Sequence, residues 1–334
     1  MMISYAQNYE DIMLWRALKH IKNGFYIDVG AAWPDNDSVT KLFYDNGWNG
    51  INIEPNKDLY IILCDQRKND INLNIALSDK EGSGDFYLLE NAGLSTLEKE
   101  IIKIHKTDYS IIKVEKAFIN TLNNIFNKYC NNKEVHFLKI DVEGYEKKVI
   151  TGNNWKKNRP WIVIIESTIP MCQTENYQEW ESILEENDYI FVYADGLNRF
   201  YIAKEHSDLI QSFAYPPNVF DGFINIREVK LNGQARQAET RAQEAEVRAA
   251  QAEVQARQAE ARAQEAAARA AEAEAQARQA EARAQEAEVR AAQAEGTLYA
   301  VYNSHSWKIT KPLRIISIFI NKLSIAIINF LRRR

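Results

Sequence analysis

Cysteine and histidine are scarce in this sequence, which has three Cys and five His among its 334 residues. Cys64, Cys130 and Cys172 are odd in number and show no C-x-x-C spacing, which argues against a disulfide framework and favours reduced thiols. No cluster of His, Cys and Asp has the spacing of metal ligands, so we expect no bound metal. The first residues, MMISYAQNYEDIM, lack the apolar run of a signal peptide, which predicts a cytoplasmic protein.

Basic residues are in the minority over positions 1–233. Residues 234–296 contain nine Arg and 12 Glu, and residues 297–334 contain seven basic residues and no acid. That leaves 25 basic and 34 acidic residues, a net charge of −9, for positions 1–233. Because charge of that sign repels a phosphate backbone, no nucleic-acid partner is expected.

Short apolar runs alternate with helix-compatible sequence from residue 25 to 203, a pattern typical of a parallel sheet covered on both faces. The last two runs are joined by Asp195-Gly196-Leu197-Asn198, which predicts an antiparallel edge hairpin. We therefore expect an α/β domain over residues 1–222, with a doubly wound, mostly parallel sheet, and a linker over 223–233. The apolar runs are FYIDVG, GINIEP, NLNIALSD, VHFLKIDVEG, WIVIIEST and YIFVYADGLNRFYIA.

Three tandem repeats of 21 residues, each equal to three heptads, occupy residues 234–296. With Ala235 as heptad position a, Ala fills every a and d position, and Glu244 with Arg248 begins a series of i,i+4 pairs. Glu at eight of nine e positions and Arg at six of eight g positions favour a parallel homo-oligomeric coiled coil with a weak Ala seam. The alternative is a single solvated helix that serves as a spacer.

The segment 297–334 combines its seven basic residues with a largely apolar run from Ile315 to Leu331, in which Lys322 is the only charged residue. Such a run is short for a membrane span. The pattern favours a basic amphipathic helix over 312–334 that lies on the anionic inner-membrane surface, which predicts a cytoplasmic protein peripherally attached to that membrane. The alternative is a helix that packs on its oligomer partners.

Acidic residues end four of the predicted strands. Ligands of open parallel sheets bind at the carboxyl ends of the strands, and like charges gathered there are unfavourable without a ligand or ordered donors. A single such acid is more often a solvated residue or a helix cap, but four at one edge favour a binding site. The acids are Asp28, Glu54, Asp141 with Glu143, and Glu166.

The loop after the first of these strands reads FYIDVGAAWPDNDSVT and contains one glycine, Gly30. A dinucleotide site needs G-x-G-x-x-G around the pyrophosphate, whereas Trp33 and Pro34 occupy that position here. Glu54 follows at the tip of the next strand, where an acid can accept both ribose hydroxyls. A nucleoside without phosphate therefore fits better, and S-adenosylmethionine is the common one. Asp37 or Ser38 is expected to cap the following helix.

Several segments resemble, in order and spacing, the motifs of FkbM-type methyltransferases. The resemblance covers residues 3–222 and implies a class I S-adenosylmethionine-dependent enzyme that O-methylates sugars and related hydroxyl-bearing metabolites. A shorter resemblance links SHSWKITKPLR to tails appended to bacterial surface-polysaccharide enzymes, which implies a role in polysaccharide or lipopolysaccharide biosynthesis. The segments are SYAQNYEDIMLWRAL, FYIDVGAAWPDNDSVTKLFYDNGWNGINIEP, IALSDKEG, GLSTL, FLKIDVEGYEKKVITG and PWIVIIEST.

The resemblance also implies a role for each strand-end residue. Cofactor contacts are expected from residues at the ends of three strands: Asp28, Gly30 and Ala31 at the methionine portion, Glu54 at the ribose, and Ser78 and Asp79 near the adenine. Asp141 is the expected general base, with Glu143 and Glu166 as hydrogen-bonding partners of the substrate. His105 and His136 are the rival bases, although His136 lies within a strand and suits the core.

Two other functions stay open at this point. The α/β head could be catalytically idle, with the helix and tail acting as a scaffold for a polysaccharide assembly complex. A nucleotide-sugar oxidoreductase is disfavoured because the glycine fingerprint is missing. Clustered strand-end acids favour the methyltransferase, since a scaffold has no physical need for them.

Overall fold

The computed structural model describes residues 2–105, 110–130, 133–170 and 172–331. The chain consists of two compact units, residues 1–236 and 237–334. The described residues form twelve strands: β1 Met2–Ser4, β2 Phe25–Val29, β3 Asn49–Ile53, β4 Ile71–Leu73, β5 Ala76–Leu77, β6 Gly82–Leu89, β7 Ile111–Asn120, β8 Phe137–Ile140, β9 Ile162–Glu166, β10 Tyr189–Ala194, β11 Asn198–Ala203 and β12 Phe223–Asn225.

The α-helices of the described residues are also numbered along the chain. They are α1 Glu10–Leu18, α2 Lys41–Asp45, α3 Lys57–Gln66, α4 Lys99–His105, α5 Leu122–Ile125, α6 Glu146–Thr151, α7 Glu181–Glu185, α8 Ile226–Asn303, α9 His305–Ile309 and α10 Lys311–Leu331. Short 3-10 helices cover Ala92–Leu94, Tyr177–Glu179, Lys204–Phe213 and Val219–Asp221, and a π-helical turn covers Phe126–Cys130.

Seven strands form the main sheet in the order β10-β11-β9-β8-β2-β3-β4. Strands β9, β8, β2, β3 and β4 are parallel to one another. The hairpin of β10 and β11 pairs with β9 in the antiparallel sense and ends the sheet. This arrangement confirms the predicted doubly wound, mostly parallel sheet with an antiparallel edge hairpin.

Apolar side chains cover both faces of the main sheet. Neighbouring residues of a strand point to opposite faces, so Ile27 joins one buried cluster and Tyr26 the other. Helices α5, α6 and α7 pack on the face of Ile27, and α1 and α2 pack on the face of Tyr26. Because both faces are buried, the strands read as near-continuous apolar runs.

A second sheet interrupts the predicted order. The run NLNIALSD was expected to form one strand, but it divides at Asn74 into β4 in the main sheet and β5 in a three-stranded sheet of order β5-β7-β6. The side-chain amide of Asn74 donates to the carbonyl oxygens of Glu54 and Pro55, both at 2.9 Å, and so turns the chain away from β3. In this second sheet β6 and β7 pair as a long antiparallel hairpin that follows the turn SDKEG.

The segment 223–233, expected to be a linker, forms a strand and the first turns of a helix. Strand β12 pairs in parallel with β1, with Met2 opposite Phe223, and α8 begins at the next residue, Ile226. Arg16 of α1 secures the chain before β12 by an ion pair with Asp221 at 2.6 Å. The globular unit therefore extends past its predicted boundary at residue 222.

The Ala-rich repeats lie on α8, whose described side chains in the second unit are exposed. This confirms the predicted helix, while the parallel oligomer stays a prediction. The expected i,i+4 pairs form, and exposed pairs of this kind contribute about 0.3–0.5 kcal/mol each. They are Glu244–Arg248, Glu253–Arg257, Glu265–Arg269, Glu274–Arg278 and Glu286–Arg290.

Helix α10 is longer than the apolar run expected from the sequence, since it has 21 residues and begins at Lys311. At ~1.5 Å per residue it measures about 31 Å, close to the thickness of a bilayer core. Residues Lys311–Asn329 are long and apolar enough to cross a membrane, with a mean hydropathy of 1.4. Length therefore does not exclude a membrane span, which the sequence analysis had disfavoured.

The ends of β2 and β8 meet at Gly30. This residue has a φ of +76°, and a Cβ added to it would lie 1.8 Å from the carbonyl oxygen of Asp141. A backbone oxygen cannot move aside as a flexible side chain can. Any larger residue must therefore separate the two strand ends.

We predict that Gly30→Ala lowers the free energy of unfolding far more than Gly47→Ala. Gly47 also has a positive φ, +87°, but nothing lies within 4 Å of an added Cβ. The control should lose about 1–2 kcal/mol from backbone strain alone. Urea denaturation of both variants measures the difference, and equal losses would show that the strand ends are not in contact.

Candidate active site

A cavity of about 360 Å³ lies at the carboxyl ends of β2, β3 and β8. The loop of residues 91–97, which follows β6, forms its opposite wall. One part of the lining is apolar and is contributed by Ile53, Ile75, Leu77, Phe86 and Leu94. The remainder carries the charged groups Asp37, Glu54, Lys139, Asp141, Glu143 and Arg227.

Lys139 joins the two strands at the centre of this edge. Its ammonium group donates to the carbonyl oxygen of Gly30 at 3.0 Å and lies 3.2 Å from Asp141 Oδ2 and 3.6 Å from Asp28 Oδ1. Burial lowers the pKa of Lys139, but Asp141 and Asp28 outweigh burial and hold that pKa above its usual value. The lysine is therefore charged, and it connects β8 to the end of β2.

Glu54 fixes the loop that follows β2. Its Oε2 accepts the backbone N–H of Ala32 at 2.9 Å, and its Oε1 accepts that of Asn56 at 2.7 Å. Burial raises the pKa of Glu54 to about 7, although both N–H donors act in the opposite direction. Each carboxylate oxygen keeps a second lone pair, so this side chain can still accept from a ligand hydroxyl.

A buried arginine, Arg67, holds the remainder of the loop after β2 through hydrogen bonds. Arg67 donates to the carbonyl oxygen of Pro34 at 2.6 Å and to Ser38 Oγ at 3.0 Å. Asp37 forms an ion pair at 2.6 Å with Arg227, in the first turn of α8. Neither Asp37 nor Ser38 caps the helix that follows, because α2 begins at Lys41 with Thr40 at its N-cap.

The loop after β8 is held by Glu146, whose Oε1 accepts the backbone N–H groups of Val142 and Gly144, both at 3.1 Å. Glu143 lies between them with a φ of +54°, which is unusual for a residue with a side chain. Burial, and then the charge of Asp141, raise the pKa of Glu143 and of Glu166 well above their usual values. Perturbed carboxyl groups of this kind concentrate at functional sites.

Four of the nine predicted site residues line the cavity, namely Gly30, Glu54, Asp141 and Glu143. Asp28 and Ala31 lie beneath it: Asp28 accepts from Thr40 at 3.0 Å, and Ala31 donates its N–H to the carbonyl oxygen of Ile53. They support the strand ends rather than contact a ligand. Glu166, at the end of β9, is only 6% exposed and lies behind the cavity wall.

Ser78 and Asp79, expected near the adenine, do not line the cavity. Ser78 packs against the backbone of Gly152, and its hydroxyl donates to Asp79 at 3.0 Å. They belong to the turn after β5, which follows the cavity-lining Leu77.

Of the two rival histidines, the structure describes the side chain of His136 alone. His136 is buried one residue before β8, at the far end of that strand from Asp141, and its Nδ1 accepts the backbone N–H of Phe25 at 3.0 Å. It is a core residue, as expected. His105 ends α4, and its side chain lies outside the described residues.

Sequence reasoning missed three contributors to the cavity. Lys139 lies within an apolar strand. Only the alternation of side chains along that strand shows that Lys139 points to the opposite face from Leu138 and Ile140. Arg227 was assigned to the predicted linker. The loop of residues 91–97 has no charged residue to mark it as part of a site, and only the resemblance of GLSTL to a family motif pointed to it. Thr96 connects that loop to the site by donating to the carbonyl oxygen of Glu143 at 2.9 Å.

Comparison with known protein families matches residues 28–191 to the methyltransferase FkbM domain. This chain carries an FkbM methyltransferase domain. The FkbM domain begins at Asp28 within β2 and extends into β10, so it includes Glu54, Lys139, Asp141 and Glu166. None of the curated proteins compared with the chain matches it.

Proposed function

We propose that the FkbM domain is an S-adenosylmethionine-dependent O-methyltransferase that acts on a hydroxyl group of a sugar or glycan. One observation carries the proposal: a single cavity joins an apolar part, an acid at the tip of β3, and an acid at the tip of β8. Methyltransferases generally use S-adenosylmethionine, and the lining has the chemistry to hold it.

The parts of the cavity match the parts of that cofactor. Ile75, Leu77 and Phe86 offer an apolar environment for a purine ring. Glu54 can accept from ribose hydroxyls, and the carboxylate of Asp141 favours a neighbouring positive charge. Polar side chains of Gln7 and Asn36 lie at the edge of the cavity and can pair with an amino acid moiety.

S-adenosylmethionine supplies a methyl group that a sulfonium charge makes electrophilic. The acceptor hydroxyl must lose its proton, and Asp141 is a carboxylate at the end of β8 that lines the cavity with a side chain 33% accessible. Lys139 forms an ion pair with that carboxylate at 3.2 Å. Glu143 also faces the cavity and can hydrogen-bond a second hydroxyl of the acceptor.

A sugar acceptor is consistent with the mouth of the cavity. Trp33 lies there and is 39% exposed, and Tyr145 lines the same cavity. Flat aromatic faces beside carboxylates suit a ligand that has both C–H faces and hydroxyl groups. The alternative, an idle head on a scaffold, leaves the cavity and its charged lining without a purpose.

For the rest of the chain we propose attachment to the cytoplasmic face of the inner membrane and a role in surface polysaccharide or lipopolysaccharide biosynthesis. The segment 312–334 would contact the membrane as a basic amphipathic helix, and residues 234–296 would form a parallel homo-oligomer. Exposed Ile and Phe side chains on α10 support membrane contact. Several tails in one oligomer would bind more tightly than one.

The first prediction concerns Glu54. Glu54→Ala should weaken binding of S-adenosylhomocysteine by roughly 1.5–3 kcal/mol, because hydrogen bonds to a charged group are lost. Asp79→Ala is the matched control, since Asp79 lies outside the cavity and its removal should leave the affinity unchanged. Titration calorimetry measures both, and equal affinities for the two variants would remove Glu54 from the cofactor site.

The second prediction concerns Asp141. Asp141→Asn keeps the shape of the side chain but removes the base, so turnover should fall by about 100- to 10,000-fold while S-adenosylhomocysteine affinity changes little. Methyl-labelled S-adenosylmethionine with a panel of sugars, nucleotide sugars and lipid-linked glycans measures turnover, with Asp79→Asn as control. Activity within about tenfold of the unmodified protein would make Asp141 a structural residue.

The third prediction concerns the tail. Truncation after Gly296 removes α9 and α10 and should abolish cosedimentation with anionic liposomes, with little binding of either form to zwitterionic liposomes. Peripheral attachment predicts release of the full-length protein by high salt or alkaline carbonate. Retention after carbonate would indicate a membrane span, and equal liposome binding by both forms would contradict any anchor in this segment.

A further inference from the structure

Three carboxylates converge beside the cavity from two neighbouring strands. Asp141 and Glu143 follow β8, and Glu166 ends β9, which pairs in parallel with β8. One oxygen from each of the three side chains lies within 4.8 Å of the others. The sequence predicted no metal because no short motif contains this set; the fold assembles it from separate strands.

Two of these carboxylates have an oxygen with no donor. Glu166 is 94% buried, with a 6% exposed fraction, and its Oε2 has no hydrogen-bond partner among the described residues. Glu143 Oε2 is also buried and without a partner in the described part of the chain. The side-chain amide nearest in the sheet register is that of Asn198, but it donates to Glu10 and Asp195 instead.

Other buried acids of this protein are supplied with donors. Glu54 and Glu146 each accept two backbone N–H groups. Asp11 accepts the backbone N–H of Tyr5 and the hydroxyl of Ser4, both at 2.7 Å. Asp28 Oδ1 also has no hydrogen-bond donor, but Lys139 Nζ lies 3.6 Å from it. The open oxygens of Glu143 and Glu166 have neither a donor nor an ion pair among the described residues, which sets them apart as groups that can face a ligand.

Protein cations do not neutralise the cluster. Lys139 is within ion-pair distance of Asp141 and Asp28, and the described residues show no ion pair to Glu143 or Glu166. A single ammonium group therefore serves Asp28 and Asp141, while two more carboxyl groups lie close by. Bringing like charges together under burial is unfavourable unless a proton or a bound cation neutralises them.

We propose that Asp141, Glu143 and Glu166 bind a divalent cation of the oxygen-preferring class, such as Mg²⁺ or Mn²⁺. The site offers oxygen ligands alone, which suits these hard cations better than zinc or copper. Glu143 and Glu166 would supply oxygens that have no other partner among the described residues, and Asp141 would supply a carboxylate that also lines the cavity. An acceptor hydroxyl bound there would be held beside Asp141 and would lose its proton more readily.

Manganese binding tests the proposal without S-adenosylmethionine, so its outcome is independent of the proposed methyl transfer. Full-length protein freed of metal with EDTA is titrated with Mn²⁺, and free Mn²⁺ is followed by its electron paramagnetic resonance signal. The variants are Glu166→Gln and Glu143→Gln. The control is Glu179→Gln, because the Glu179 side chain is 66% exposed and lies outside the cluster.

The unmodified protein and the control should show the same saturable site, and excess Mg²⁺ should displace Mn²⁺ from it. Each cluster variant should bind Mn²⁺ at least about tenfold more weakly, a loss equal to 1.4 kcal/mol or more. Mn²⁺ should also raise the melting temperature of the unmodified protein but not of the cluster variants. Circular dichroism confirms folding, and if Glu166→Gln does not fold, Glu143→Gln decides.

Two results would overturn the proposal. One is absence of saturable Mn²⁺ binding by the unmodified protein at millimolar concentration. The other is a folded cluster variant that binds Mn²⁺ as tightly as Glu179→Gln does, since the metal would then lie elsewhere on the acidic surface.

Discussion

The ammonium group of Lys139 is the contact on which the carboxyl edge of the sheet depends. It lies 3.0–3.6 Å from three groups: Asp28 of β2, the carbonyl oxygen of Gly30 just after β2, and Asp141 just after β8. Because Gly30 has no Cβ, the two strand ends approach closely enough for one lysine to serve both. Of the two acids that contact this lysine, Asp141 lines the cavity and Asp28 does not.

Buried carboxylates around this lysine divide into two groups with different tasks. Glu54 and Glu146 accept backbone N–H groups and so shape the loops that border the cavity. Glu143 and Glu166 have open oxygens and pKa values raised by burial and by Asp141. A site that fixes its loops with one pair of acids and leaves the other pair open is suited to binding a cation or a hydroxyl-bearing acceptor.

Much of the fold was predictable, because strands buried on both faces appear as apolar runs and the edge hairpin has a clear turn. The position of each acid was less so: Asp28, Glu54 and Glu166 all end strands, yet only Glu54 lines the cavity. A sequence does not show which strand-end acid meets a neighbouring lysine and which meets a ligand. The strand ends placed Asp141, Glu143 and Glu166 at one edge of the sheet, but the sequence does not show that one oxygen from each lies within 4.8 Å of the others.

Photo-crosslinking tests the central claim, a cofactor site between the ends of β2, β3 and β8, most directly. Full-length protein is irradiated with methyl-labelled S-adenosylmethionine, with and without excess S-adenosylhomocysteine, and the labelled peptides are mapped. We predict label that the competitor suppresses, confined to peptides that contain residues of the cavity wall: Gln7, 29–37, 53–55, 75–77, Phe86, 91–97, 139–145 and Arg227. Label that the competitor does not suppress, or label confined to peptides outside that wall, would contradict this claim.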